Sequence, residues 1–236
     1  MEIKPIARIR TDFNTKFGIP RQSGLARTTA EIIFEPEYRV AEAVRGLEGF
    51  SRIWMIWEFS ENTEKVKKNW NPTVRPPRLG GNTRVGVFAT RSPFRPNSLG
   101  LSCVELNSVE MRKDLGPVLT VTGADLMDGT PIYDIKPYIP SSDSFPDAQG
   151  GFTDSHPFSH LKVVFPENLL QKISEEKRAG LLDVLAEDPR PSYQKDPNRV
   201  YGIFFHRADI RFRVEGRILT VLEVNTEVNT DISPAT

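Results

Sequence analysis

The sequence has few of the residues that stabilise small secreted proteins or hold metal ions. One cysteine, Cys103, occurs among 236 residues, which excludes an internal disulfide, and only three histidines accompany it. His156 and His160 have the spacing of a helical metal pair, but Pro157 separates them in a Gly- and Ser-rich stretch, so loop histidines are the better interpretation. We therefore expect a protein of a reducing compartment, the cytoplasm, with no bound metal.

Long apolar runs are also missing. The longest covers residues 53–57, whereas ~20 apolar residues are needed to span a bilayer. The opening residues, MEIKPIARIR, contain no apolar segment of a signal peptide. Because hydrophobic residues still make up 38% of the chain, we expect a folded, soluble protein that neither enters a membrane nor is exported.

The common motifs of nucleotide and hydrolase sites do not occur. Gly80, Gly81 and Gly86 lack the spacing of a Gly-x-Gly-x-x-Gly turn, and no phosphate loop ends in Gly-Lys-Ser or Gly-Lys-Thr. There is no Gly-x-Ser-x-Gly elbow, and the first 140 residues contain no histidine to activate a nucleophile. A doubly wound enzyme and a triad hydrolase are both disfavoured.

Charge is balanced in total but not along the chain. Residues 1–100 carry 17 basic and 10 acidic side chains, and no acidic residue occurs from position 65 to 104. The basic residues of this stretch are Lys65, Lys67, Lys68, Arg75, Arg78, Arg84, Arg91 and Arg95. Trp70, Phe88 and Phe94 are interleaved with them, a composition typical of RNA-binding surfaces, although alternation in a predicted strand assigns Phe88 to the core.

The hydrophobic pattern predicts a mainly β barrel domain followed by a small α+β C-terminal domain. In residues 1–140 we expect strands at 3–9, 32–34, 52–59, 84–89, 99–109, 118–124 and 131–136, and one amphipathic helix at 38–45. Seven short strands favour a barrel or a sandwich. Residues 141–160, rich in Pro, Gly and Ser, form a linker or surface loop.

The C-terminal domain is expected at residues 161–236. Ser174 followed by two glutamates predicts a capped helix start, and leucines continue an apolar face up to Pro189. Strands are expected at 199–205, 210–214 and 217–224, with the last two joined by a turn at Gly216.

Two segments carry chemistry. In 90–100, two prolines stiffen a loop that presents Arg91 and Arg95, which favours binding of a phosphate or carboxylate over a solvated turn. In 125–138, three carboxylates, a glycine turn and a lysine lie close together. The alternative for this second segment is structural, with Asp128 in a plain turn and Asp134 paired with Lys136 on one strand face.

Five runs of the sequence resemble the TsaA-like (YaeB) family of S-adenosylmethionine-dependent tRNA methyltransferases. They are GIPRQ at 18–22, PTVRPPRLGGN at 72–82, VFATRSPFRPN at 87–97, DGTPIYDIKPY at 128–138 and, for the C-terminal domain, DPRPSY at 188–193. The resemblance implies one β-barrel, a homodimer with the cofactor near the subunit interface, and methylation on N6 of the N6-threonylcarbamoyladenosine next to the anticodon, at tRNA position 37.

The resemblance also implies which positions contact S-adenosylmethionine. These are Pro20, Arg21, Gln22, Ser60, Glu61, Arg91, Leu101, Asp128, Gly129, Thr130 and Pro131. Many relatives carry histidine at position 60, so the contact of Ser60 is assigned to its backbone. Arg91 suits the cofactor's carboxylate and the Asp128-Gly129 turn suits its adenine. We predict that tRNA is bound by Lys67, Lys68, Arg75, Arg78, Arg95, Asn97 and Lys136. We predict that Asp134 accepts the proton lost from N6.

Two other functions remain open from the residues alone. A non-catalytic RNA-binding barrel would use only the basic stretch, and a regulatory barrel that binds a small molecule would leave that stretch in solvent. Binding of S-adenosylmethionine contradicts the first, and tRNA binding with a steep salt dependence contradicts the second.

The basic stretch generates the first prediction. Changing Lys67, Lys68 and Arg75 together to alanine is expected to weaken tRNA binding and to flatten its dependence on salt, because fewer counterions are released. Affinity for S-adenosylmethionine should hold. Titrations with each ligand at several salt concentrations measure both effects, and a joint loss in a folded variant would mean that the stretch is not a separate RNA surface.

Overall fold

The computed structural model describes residues 2–60, 70–157, 160–190 and 196–226. Four of the residues singled out above, Glu61, Lys65, Lys67 and Lys68, lie outside the described residues, as do the last three of the 188–193 run.

Six antiparallel strands close into a barrel in the order β1-β2-β7-β6-β3-β8. Their bounds are Ala7–Arg10 for β1, Thr29–Phe34 for β2, Arg52–Glu58 for β3, Leu99–Arg112 for β6, Gly116–Thr122 for β7 and Pro131–Pro137 for β8. Side chains alternate between the interior and the surface; in β3, for example, Ile53, Met55 and Trp57 are buried. The predicted barrel is confirmed, and β1 begins later than expected, beyond Pro5.

Two predictions inside the barrel region are wrong. The predicted helix at 38–45 is replaced by separate 3-10 turns, Pro36–Tyr38 and Ala41–Val44, with a third at Leu47–Gly49. The break falls at Arg39, whose guanidinium donates to the backbone oxygens of Phe34 and Asp114. Tertiary hydrogen bonds therefore override the helical pattern here.

The predicted strand at 84–89 is also wrong. A small separate hairpin pairs β4, Thr73–Val74, with β5, Val85–Gly86, and the chain then enters the 3-10 turn Val87–Ala89. Val87 is buried and its backbone N–H donates to the oxygen of Pro72, so its neighbour Phe88 points outward and is 72% exposed. The assignment of Phe88 to the core is therefore corrected.

The smaller C-terminal domain combines a sheet with helices, as predicted, but the sheet has a fourth strand, Lys162–Val164, that was not expected. The sheet order is β10-β11-β12-β9, with β9 at Lys162–Val164, β10 at Tyr201–Phe205, β11 at Ala208–Glu215 and β12 at Ile218–Asn225. Two short helices, α1 at Pro140–Asp143 and α2 at Phe152–Ser155, precede the domain in the region expected to be a linker or surface loop. The helices of this domain are α3, Glu167–Leu170, and α4, Glu175–Ala186. Helix α4 follows Ser174 as expected, but the hydroxyl of Ser174 makes no capping hydrogen bond.

The C-terminal core includes residues from near the chain's beginning. Phe13 and Ala26 are buried with the side chains of α4 and the sheet, and Phe17 and Ile19 pack against the same cluster. The second core, inside the barrel, contains none of these four residues among its described members. The segment 13–26, which we call the early loop, is therefore shared between the two domains.

A close contact between β3 and β6 generates the second prediction. The indole of Trp57 lies directly over Gly100, so a Cβ atom at position 100 would overlap the ring. Gly100→Ala is expected to destabilise the protein by ~1–3 kcal/mol, as overpacking in a filled core does. Urea unfolding measures this, with Gly86→Ala as the control because a Cβ at Gly86 meets open space. Equal stability of the two variants would contradict the prediction.

Candidate cofactor and RNA site

Three loops meet at one end of the barrel. Arg91 donates from Nη1 to Oε1 of Gln22 at 2.5 Å, which joins the loop after β5 to the early loop. Gly24 donates its N–H to the oxygen of Gly123 at 2.8 Å, which joins the early loop to the segment after β7. Both glycines have positive φ, and a Cβ at Gly123 would come within 3.1 Å of the Gly24 backbone. Two predicted cofactor residues, Gln22 and Arg91, are thus in contact.

The partly buried carboxylate of Asp125 lies beside these contacts. Ser102 donates to Oδ1 of Asp125 at 2.5 Å, and the hydroxyl of Ser102 accepts from Nε1 of Trp57 at 3.0 Å. Burial raises the pKa of Asp125, although Ser102, its own N–H, the charge of Arg91 and the N–H of Ser23 act in the opposite direction. The indole, the hydroxyl and the carboxylate form one chain that ends beside Arg91.

The turn at 128–131 is held to the end of β1. Asp128 accepts from the N–H of Thr11 at 3.0 Å and from Arg10 at 3.1 Å. Gly129, with φ near 77°, donates its N–H to the oxygen of Ile9 at 2.8 Å. Thr130 and Pro131 are buried. The turn is therefore rigid, and it follows Asp125 by only three residues.

Leu101 and Asp134 lie on the outer face of the barrel. Ile56 on β3 is the register partner of Leu101 on β6 and of Asp134 on β8, so the three residues form one row across adjacent strands. Leu101 is 54% exposed. Asp134 is half-exposed and pairs with Lys136 at 2.9 Å, which confirms that these two share a face. The role of Asp134 stays a prediction.

The remaining described site residues divide between loop support and open surface. Arg95 donates to the backbone oxygens of Thr90 and Ser92, so it stabilises its own loop. Arg78 donates to the oxygen of Thr153 at 3.5 Å. Exposed residues are Arg21, Ser60, Arg75, Arg91, Asn97 and Lys136. Trp70 and Phe88, both exposed, have ring centroids 6.3 Å apart.

A cavity of about 140 Å³ separates the early loop from the end of α4. Pro20 and Arg21 line it on one side, and Glu187, Asp188 and Arg190 on the other. Pro20 is buried, while Arg21 crosses the gap and donates from Nη2 to the backbone oxygen of Asp188 at 3.2 Å. The C-terminal domain therefore lies against two predicted cofactor residues.

The sequence did not predict two contacts at this site: the hydrogen bond of Asp125 with Ser102 and that of Arg21 with the backbone of Asp188. Asp125 belongs to the carboxylate run at 125–138, but no local pattern indicates Ser102 and Trp57 as its partners. In the ranges that the structure describes, no group of three His, Cys, Asp or Glu side chains is placed to hold a metal ion. The same ranges contain no helix long and apolar enough to cross a membrane.

The closed barrel and the appended sheet are each matched by a family model of tRNA methyltransferases. A family model described as the tRNA-methyltransferase O N-terminal domain matches residues 8–144, and one described as the TrmO C-terminal domain matches residues 159–227. The chain therefore belongs to the TrmO family, and the resemblance to TsaA-like proteins is confirmed.

Curated relatives and solved structures agree with this assignment. The chain is 43% identical to the tRNA (adenine(37)-N6)-methyltransferase of Escherichia coli K12 over 222 residues, 90% of this chain and 93% of that protein. It is 40% identical over 221 residues, 89% of this chain and 91% of that protein, to a putative S-adenosylmethionine-dependent methyltransferase of Pseudomonas aeruginosa. A crystal structure of TrmO from P. aeruginosa superposes with a TM-score of 0.75 at 31% identity, covering 95% of this chain and 98% of that one.

The burial of Asp125 generates the third prediction. Because burial raises the pKa of Asp125, the ionised carboxylate costs folding free energy at every pH above that pKa, and the cost disappears as the group protonates in acid. Asp125→Asn should be at least as stable as the parent at about pH 7, and its relative advantage should vanish toward about pH 4.

Asp183 is the control, because its pKa is shifted in the opposite direction. Burial acts to raise the pKa of Asp183, but its hydrogen bonds with Arg27 and the charge of Arg27 lower it overall. Asp183→Asn should therefore destabilise the protein at neutral pH, by an amount that shrinks as pH falls through the native pKa. Thermal unfolding across this pH range measures both variants. Parallel trends would contradict the assignment of Asp125 as a buried charge.

Proposed function

We propose that the chain transfers the methyl group of S-adenosylmethionine to N6 of adenosine 37 in tRNA, with N6-threonylcarbamoyladenosine as the substrate nucleoside. The observation that carries the methyltransferase proposal is the match over nine-tenths of the chain to the tRNA (adenine(37)-N6)-methyltransferase of E. coli. The modified nucleoside is proposed from the resemblance to the TsaA-like family. A tRNA substrate and the single cysteine both suit a cytoplasmic location.

The described residues fit the cofactor. Its carboxylate needs a guanidinium, and Arg91 is exposed at a corner where Gln22 orients it. The sequence predicts that the Asp128-Gly129 turn binds the adenine, but the N–H of Gly129 is already bonded to Ile9. The adenosyl group needs apolar surface, and Leu101 offers it on the outer face. When bound, S-adenosylmethionine supplies an electrophilic methyl group on a sulfonium.

The acceptor nitrogen dictates what the protein has to do. N6 of a threonylcarbamoyl-adenosine shares its lone pair with the purine and with a carbonyl, so it is a weak nucleophile that loses a proton as it attacks. Holding the reacting atoms in line at about 3–3.5 Å supplies much of the acceleration. Asp134 lies in the same row as Leu101 but is separated from it by strand β3, and it is our candidate to accept the proton at its carboxylate.

The basic side chains on the small hairpin of β4 and β5 support tRNA as the partner. Arg75 is exposed, and the guanidinium of Arg84, also on the surface, donates to Thr73 at 2.9 Å. The exposed pair of Trp70 and Phe88 lies beside these cations and offers flat rings to unstacked bases of an anticodon loop. Cations with exposed aromatic rings suit single-stranded RNA.

We also propose a homodimer that completes the cofactor site. The cavity lined by Pro20 and Arg21 is about 140 Å³, below the ~300–1,000 Å³ of ordinary small-molecule sites. A surface for a second copy is supplied by exposed apolar side chains of β6 and of the loop at 90–98 that presents Arg91. They are Leu99, Leu101 and Phe94. A dimer would enclose the cofactor between two such surfaces.

Nucleoside analysis tests the proposed function. Protein, S-adenosylmethionine and tRNA that carries threonylcarbamoyladenosine are incubated, and the digested nucleosides are analysed by mass spectrometry. We expect one methyl group on threonylcarbamoyladenosine, and none when tRNA with plain adenosine at position 37 is used. Equal methylation of both tRNAs would refute the substrate, and no methylation despite cofactor binding would refute the enzyme.

The fourth prediction concerns Asp134. Asp134→Asn keeps the shape but removes the base, so the single-turnover rate should fall by about 10²–10⁴ while both ligands still bind. Lys136→Met breaks the same ion pair without removing the carboxylate, so at saturating tRNA its rate should stay within about tenfold of the parent. A parent-like rate for Asp134→Asn across pH would leave positioning as the whole mechanism.

A further inference from the structure

We propose that the C-terminal domain positions the cofactor site, because it holds the early loop that carries Pro20, Arg21 and Gln22. The identity of the ligand rests on the proposed function. The C-terminal domain contributes none of the predicted cofactor contacts. By holding the early loop, it nevertheless makes the affinity for S-adenosylmethionine depend on how this domain docks.

Apolar packing attaches the early loop to the C-terminal core. The rings of Phe13 and Phe205 meet edge to face, with centroids 5.8 Å apart, and both side chains are 1% exposed. Two residues before Pro20, Gly18 has a φ of 95°, and a Cβ there would contact the side chain of Ile203 at 3.4 Å. The backbone of the loop is therefore pressed against β10.

Ion pairs fix both ends of the loop to helix α4. Just before the loop, Asp12 accepts from Lys177 at 2.7 Å and from His206 at 2.9 Å, and its side chain is only 6% exposed. Just after the loop, Arg27 makes a bidentate pair with Asp183, at 2.7 and 2.9 Å, and its backbone N–H donates to the same carboxylate. The two ends are thus fastened to one rigid helix.

Between these anchor points, Gly180 allows close approach of the helix. A Cβ at Gly180 would come within 3.1 Å of the oxygen of Arg27 and 3.0 Å of the side chain of Thr28. Positions 177, 180 and 183 follow one another at intervals of three, so they share one face of α4. This face lies against the chain on either side of the early loop.

A third contact reaches the cofactor residues themselves. Arg21 donates to the backbone oxygen of Asp188, just after α4. The side chain of Asp188 is held by Arg190 through two bonds, at 2.8 and 2.9 Å, and the guanidinium of Arg190 is mostly buried over the ring of Tyr201. The oxygen that receives Arg21 is therefore fixed by the core of the C-terminal domain.

The other edge of the loop contacts the barrel corner. Gln22 accepts from Arg91, the N–H of Ser23 acts on Asp125, and Gly24 is bonded to Gly123. Any change in the docking of α4 is transmitted to this corner through a few residues of a single loop. The barrel face of the loop orients the groups that meet the cofactor, and the opposite face determines whether that orientation is kept.

Charge reversal at the Arg27–Asp183 pair tests the proposal in the full-length chain. Asp183→Arg places two like charges together, and it should weaken binding of S-adenosylmethionine at least about fivefold, the lower end of ordinary coupling between sites. Amide hydrogen exchange at residues 18–24 should accelerate without cofactor. The double variant Arg27→Asp/Asp183→Arg re-forms the ion pair but leaves the backbone N–H of residue 27 without its acceptor. It should therefore recover most of the affinity, measured by calorimetry, and most of the protection. If Asp183→Arg does not fold, Asp183→Asn is measured in the same way.

Asp209→Arg is the matched control, because Asp209 pairs with Arg211 on β11, within the same domain. It should leave the affinity within about twofold of the parent. Unchanged affinity in Asp183→Arg overturns the proposal, and so does an equal loss in the control. If the parent methylates tRNA but the variants do not behave as expected, only this inference is refuted. If the parent does not bind S-adenosylmethionine, the proposed function is refuted, and this inference with it.

Discussion

Pairing of the first barrel strand with the last determines where every other part of the site lies. Strand β1 meets β8 at only two register positions, Ala7 with Ile132 and Arg8 with Pro131, yet these close the barrel. Closure brings Arg10 to the carboxylate of Asp128, some 118 residues further along the chain. The rigid turn and the Asp125 corner then follow from the short segment between β7 and β8.

The carboxyl group of Asp125 lies where burial disfavours its ionised form. An ionised carboxylate inside a protein needs donors, and Asp125 receives them from Ser102 and the N–H of Ser23, with Arg91 nearby. Folding alone does not require a carboxylate at this place, since an apolar residue would avoid the cost. A carboxyl group whose pKa is raised by burial, beside an exposed arginine, is typical of a functional site.

The sequence predicted what local patterns determine and missed what distant contacts determine. Alternation located the barrel strands and the hairpin at Gly216, and leucine spacing located α4, because each signal lies within a few residues. The prediction of a helix at 38–45 was wrong because Arg39 bonds to residues outside that segment. The prediction that Phe88 is in the core was wrong because the buried Val87 turns its neighbour outward. The links from Asp125 to Ser102 and from the early loop to α4 span 23 and over 150 residues, so no window contains them.

The early loop also has a consequence for how the protein is made. Phe13 is translated long before its ring partner Phe205, which lies in a strand of the C-terminal sheet. At about 5–20 residues per second, the apolar side of the loop stays uncovered for roughly 10–40 s. A nascent barrel therefore carries an open hydrophobic strip until the strands of the C-terminal sheet appear, and chaperones have that interval in which to bind it.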